Sequence, residues 1–144
     1  MNTHDLVGQW KGEFTYGASY GEPHNGTKEK FEITIESADA NGFHGRCVDT
    51  ESATGEYLVT IIKGFFEQGF ISFTKEYAHQ YEMNEKGEVI SNAGKKGHVV
   101  NYEGEYIASQ NRFEGTWEIH YHFQLLWIRW YTQTFNGTWE MYRE

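Results

Sequence analysis

Lys75 and Tyr77 lie two residues apart in Phe70-Ile71-Ser72-Phe73-Thr74-Lys75-Glu76-Tyr77. Residues two apart in an extended strand share a face. If Ile71 and Phe73 point into a core, Lys75 and Tyr77 point there too. An inward lysine flanked by aromatic rings binds a carboxylate or becomes an amine that holds its proton less tightly. A lysine past the rim of a sheet is simply solvated. Arg129 shares a face with Trp127 and Tyr131 in Trp127-Ile128-Arg129-Trp130-Tyr131. It is a second candidate for the polar end of a ligand, or else a structural cation over Trp10. Tyr16, Tyr102 and Tyr106 offer hydroxyls to the same pocket, with Trp117 and Trp127 as apolar wall. The alternative for such tyrosines is to cap a core with the hydroxyl in solvent.

Three further groupings suggest other chemistries. Glu118, His120 and His122 alternate on one strand face and would form a carboxylate–histidine metal triad. If Trp117, Ile119 and Tyr121 face the core, however, the triad faces water, so no metal is expected. Gly17-Ala18-Ser19-Tyr20-Gly21 has the spacing of a hydrolase nucleophile elbow, but that motif requires a strand–turn–helix in an α/β sheet. Gly94-Lys95-Lys96-Gly97 lacks the spacing of a phosphate loop.

The elements that position these residues are strands. Phe113-Glu114-Gly115-Thr116-Trp117-Glu118 recurs as Phe135-Asn136-Gly137-Thr138-Trp139-Glu140, with a looser copy at Val7-Gly8-Gln9-Trp10-Lys11-Gly12. Apolar and polar residues alternate at period two, as a half-buried strand requires. Among 144 residues, aromatics make up 17%, glycines number 16, and proline occurs once, at Pro23. That composition excludes disorder and favours a sheet. The pattern predicts a turn at 2–6 capped by Asn2 or Thr3, then strands at 8–16, about 30–35, 43–47, 57–66 and 70–77. Others follow at 98–107, 111–122, 125–133 and 137–143. Inward residues include Trp10, Phe14, Phe31, Ile33, Ile35, Phe43 and Cys47. Glu67-Gln68-Gly69 reads as a hairpin. Met83–Gly97 reads as a long polar connection holding a short strand at Val89-Ile90. Asn136-Gly137 fits either a hairpin turn or mid-strand, and its match to Glu114-Gly115 favours the strand. The fold class is therefore all-β: a single domain over 1–144, an antiparallel up-and-down barrel of eight to ten strands.

Charge narrows the partners. Twelve basic against 21 acidic residues leave a net charge of −9, which repels nucleic acid and anionic lipid. The lone Cys47 excludes an internal disulfide. With no signal peptide and no long apolar span, the expected location is cytoplasmic. Asn25-Gly26-Thr27 and Asn136-Gly137-Thr138 are then turn or strand chemistry rather than glycosylation sites.

Gly8-x-Trp10 on the first strand, after a short N-terminal turn, resembles the calycin group: lipocalins, fatty-acid-binding proteins and avidins. The Gly-Thr-Trp phrases are similar to those of avidins. The resemblance implies a barrel closed at the Gly8/Trp10 end, open at the other, and hollow enough for a small apolar molecule. It also implies a basic residue on a late strand packed over the tryptophan, a role for which Arg129 is the candidate. The biotin-loop residues of avidins and the long C-terminal helix of lipocalins are not found. The expected function is non-covalent binding of a small hydrophobic or amphipathic molecule, with no cofactor. Alternatives are a small barrel enzyme (isomerase, cyclase or lyase) using the same pocket, a haem-binding barrel, and an interaction module with a filled barrel. Trp127 and Trp130 lie on opposite faces of one strand, so one of them is outside. With Leu126 and Ile128 it suggests a homodimer.

Overall fold

The computed structural model describes residues 1–49, 58–77, 79–83, 89–96, 98–125 and 129–143, with side-chain surroundings over 1–48, 59–77, 98–120 and 132–143. The described strands are β1 (Gly8–Tyr16), β2 (Lys28–Asp39), β3 (Gly42–Asp49), β4 (Leu58–Glu67), β5 (Phe70–Glu76), β6 (His79–Met83), β7 (Val89–Lys96), β8 (Val99–Ile107), β9 (Arg112–Leu125) and β10 (Arg129–Arg143). Eight of them close an antiparallel barrel in the order β1-β10-β9-β8-β5-β4-β3-β2, while β6 and β7 pair separately. Every neighbour around the barrel apart from the closing β1–β10 pair is next in the chain, once the β6–β7 hairpin is set aside. The fold is thus the up-and-down barrel that the alternation predicts.

Two elements differ from the sequence expectation. The polar connection between β5 and β8 is a hairpin, with Gln80 opposite Asn92 and Met83 opposite Val89. Its side chains lie outside those described. The two strands expected at 125–133 and 137–143 are one continuous strand, β10. It pairs with β9 from Arg129 opposite Leu125 to Tyr142 opposite Arg112. Thr132-Gln133-Thr134 carries no glycine or proline, so nothing there breaks the ladder. Asn136-Gly137 lies within it as strand. The hairpin at Glu67-Gln68-Gly69 is as expected, with Gln68 (φ 50°) and Gly69 (φ 82°) both left-handed. That geometry matches the twist of the flanking strands.

The repeated phrase has a structural origin. β9 and β10 run antiparallel in a register that sets Trp117 opposite Gly137, Thr116 opposite Thr138 and Gly115 opposite Trp139. Each Gly-Thr-Trp therefore meets the other reversed, tryptophan against glycine. The Trp117 indole lies on Gly137 so closely that a Cβ there would stand 2.6 Å from its Cε2. Its N–H donates to the Thr138 carbonyl at 3.0 Å. Trp139 reaches past Gly115 to Gly104 on β8 and donates to the carbonyls of Thr116 (3.0 Å) and Glu103 (3.1 Å). Two large rings are thus laid flat on the inner wall with their only polar atoms satisfied.

The closed end is built from the N-terminus. Residues Thr3–Leu6 form one 3-10 turn preceded by Asn2, whose N–H donates to the Asp5 carboxylate at 2.7 Å. Leu6, fully buried, plugs the barrel, and the Trp10 indole N–H donates to its carbonyl at 2.8 Å. Phe113 packs edge-on against Trp10 (5.4 Å), and Phe66 against Phe113 (5.6 Å). Gly8 takes φ 133°, which side-chain-bearing residues rarely adopt. The cation over Trp10 is Arg143, not Arg129. The Arg143 guanidinium sits 4.6 Å from the ring centroid and donates to the carbonyls of Val7 and Asp5. Arg129 begins β10, at the opposite end of the strand.

Candidate functional site

The far half of the barrel holds the polar residues. The burial pattern of β5 alternates from Ile71 through Phe73 to Lys75, and Lys75 is only 2% exposed. The rim position is thereby excluded. Its Nζ lies 4.9 Å from the Phe14 ring centroid, 5.4 Å from Tyr77 and 5.8 Å from Tyr102. Removing an ammonium from water costs several kcal/mol in effect, and a desolvated cation–π contact returns about 2 kcal/mol. Three rings around one amine thus offset much of the cost. Phe73 stacks on Tyr102 at 4.8 Å, with Trp139 edge-on to both (5.4 and 5.8 Å). These rings form one cluster, which Lys75 meets through Tyr102.

On the opposite wall, Tyr16 packs against Phe14 (5.6 Å) and Trp117 (6.0 Å). Burial is the largest cause holding its hydroxyl well above the ordinary tyrosine pKa. The Glu29 carboxylate adds to this by its charge and by accepting the phenol hydrogen bond, and Tyr20 adds further; the Lys75 charge acts the other way. In the unfolded chain Tyr16 loses its proton above about pH 10, while in the folded chain it keeps it. Stability from this group is therefore complete below that pH and is lost as pH rises further. We expect melting temperature to fall less between about pH 9 and about pH 11 in Tyr16→Phe than in the wild type. Parallel curves for the two proteins would contradict the assignment.

Two members of this wall escaped the sequence reading. Glu29 is half-buried and shares the parity of Phe31, Ile33 and Ile35, so its inward direction was readable. Tyr20 sits on a 3-10 turn, Ala18–Tyr20, that folds back over the barrel end. Its ring meets Tyr16 at 4.8 Å, Phe135 at 4.6 Å and Trp117 at 5.9 Å. An aromatic residue bracketed by Gly17 and Gly21 was its only signal. The neighbouring Ser19 is a fastener rather than a nucleophile. Its hydroxyl accepts from the Asn136 backbone N–H at 3.1 Å and lies 3.4 Å from the Asn136 side-chain oxygen.

The structure thus brings Lys75, Tyr77 and Tyr102 together, and places Tyr16 and Trp117 on the facing wall. Tyr106 is not among them: its hydroxyl donates to Asn111 at the turn after β8, near the closed end. Trp127 lies outside the described residues, as do the side chains of Arg129, His122, Tyr121 and Trp130. Glu118 and His120 are exposed on the outer face. There His120 Nε2 lies 3.3 Å from the Glu118 carboxylate and Nδ1 lies 2.8 Å from Thr134 Oγ1. Among the described residues no group of three potential ligands is positioned to hold a metal. No helix among them is long and apolar enough to cross a membrane.

A scan against protein-family models and searches of curated proteins and of solved structures yield no match to this chain.

Proposed function

We propose that the protein is a lipocalin-like binding barrel for a small amphipathic molecule, whose polar end meets Lys75 and whose body lies against aromatic walls. The observation that supports this is the inward, buried Lys75 amid Phe14, Tyr77 and Tyr102. A barrel needing only a packed core would place an apolar residue there, as it does at Ile71 and Phe73 two and four residues earlier. A few oriented polar groups on an apolar wall are the usual form of a small-molecule site. A cytoplasmic location and a homodimer through the Trp130 side of β10 belong to the same reading.

Decanol and decanoate are suitable probes, followed by tryptophan fluorescence, since Trp117 lies on the wall. Saturable binding of both is expected. Lys75→Met is expected to weaken decanoate about tenfold or more, the scale of a lost hydrogen bond to a charged group, and decanol less. Binding of neither probe to the wild type would dismiss the reading.

A further inference from the structure

We propose that Lys75 captures a carbonyl group at the end of an apolar ligand as a covalent imine, with Tyr16 and Glu29 handling the proton. The proposal rests on the binding reading above and names its ligand class: a neutral aldehyde or ketone with a hydrocarbon body.

Three observations favour a carbonyl over an anion. First, the wall facing Lys75 carries a carboxylate of its own. Tyr16 donates to Glu29, so the interior holds both signs of charge. An anionic end would gain from Lys75 and lose against Glu29, whereas a neutral carbonyl opposes neither. Second, the whole chain carries a net charge of −9, which disfavours the approach of anions from solution. Third, the amine is a primary one buried among the rings of Phe14, Tyr77 and Tyr102, and Phe14 also packs against Tyr16 at 5.6 Å, so the amine and the acid–base pair flank one ring. A lysine desolvated among apolar groups is the form of amine that captures carbonyl substrates.

The step balances without any oxidant or metal. Lys75 gives up one ammonium proton to the Glu29 carboxylate, either directly or along the Tyr16 hydroxyl. The freed electron pair on Nζ forms a bond to the carbonyl carbon while the carbon–oxygen π pair moves to oxygen. That oxygen takes up a second proton from Nζ and then the first one, returned by Glu29, and it departs as water. Nitrogen then shares a double bond with carbon. The net change is ammonium plus carbonyl giving protonated imine plus water, with Glu29 back as the carboxylate. The apolar interior promotes it by holding the hydrocarbon beside the amine and by keeping the imine away from bulk water.

The test is decanal with sodium cyanoborohydride, which reduces an imine to a stable secondary amine, followed by intact-mass and peptide mapping. Exposed Lys28, Lys30 and Lys63 serve as internal references. We expect one decyl group, at Lys75, formed about tenfold or more faster than at those three, as an oriented amine should. Decanol is expected to compete for it. Lys75→Arg, which keeps the charge, is expected to bind decanol and gain no rapid label. Glu29→Gln is expected to slow labelling at Lys75 without changing labelling at the reference lysines. If decanol binds and Lys75 is labelled no faster than the references, the imine proposal is overturned and the binding reading stands. If neither decanol nor decanoate binds and no selective labelling occurs, both fall.

Discussion

Gly137→Ala is expected to cost about 3 kcal/mol or more, at or above the upper range for overpacking a core. The new Cβ would press on the Trp117 ring, 2.6 Å from Cε2, and on the backbone carbonyl of Thr15 in the adjoining strand. A ring can tilt, but a carbonyl in a ladder cannot move without unpairing β1 from β10, whose register sets Tyr16 opposite Gly137. That seam is where the barrel closes. Urea midpoints measure the effect. Adding Trp117→Leu should recover only part of the loss, because it relieves the ring and not the carbonyl. A cost below about 1 kcal/mol would mean that the seam is looser than described.

Trp10→Ala should cost about 3–5 kcal/mol, the range for emptying a large aromatic site. The residue is 1% exposed. Its loss removes the wedge against Phe113, the bond to the Leu6 carbonyl and the surface on which Arg143 rests. The N-terminal turn is held besides by the buried Leu6 side chain, by Arg143, which donates to Asp5 and Val7, and by Thr3 Oγ1, which donates to the Phe66 carbonyl at 3.2 Å. Arg143→Ala should therefore cost less than Trp10→Ala, about 1–2 kcal/mol for the cation–π and hydrogen-bond contacts together. Equal losses in the two variants would show that the cation, not the ring, carries the closed end. Chemical denaturation of both variants separates the cases.

The alternation along each strand was legible because a sheet with one dry face forces period two on the sequence. Trp10, Phe14, Ile33, Phe43 and Phe73 needed nothing more. What alternation does not encode is distance along the barrel axis. Lys75 reads identically whether it is deep or at the rim, and only the stagger between β5 and its neighbours places it among three rings. Arg129 and Arg143 have the same parity on the same strand. Which of them reaches Trp10 depends on the pairing of β1 with β10, a contact between residues more than a hundred positions apart. β10 was read as two strands because a strand this long, 15 residues, exceeds the usual length. Tyr20 was hidden for a different reason: it comes from a loop, where no periodicity exists to reveal direction. The reciprocal Gly-Thr-Trp pair was visible as a repeat, yet its meaning required the antiparallel register.

The joining of β1 to β10 also bears on how the protein comes into being. The first of the barrel strands to be made has for one of its two partners the last of them. At cellular rates of synthesis the interval between them is on the order of ten seconds. Throughout that time the nascent sheet is open along β1, offering a row of unsatisfied amides and carbonyls to any other extended chain. Closure is a single late event of high contact order, and the aromatic interior stays wet until it happens.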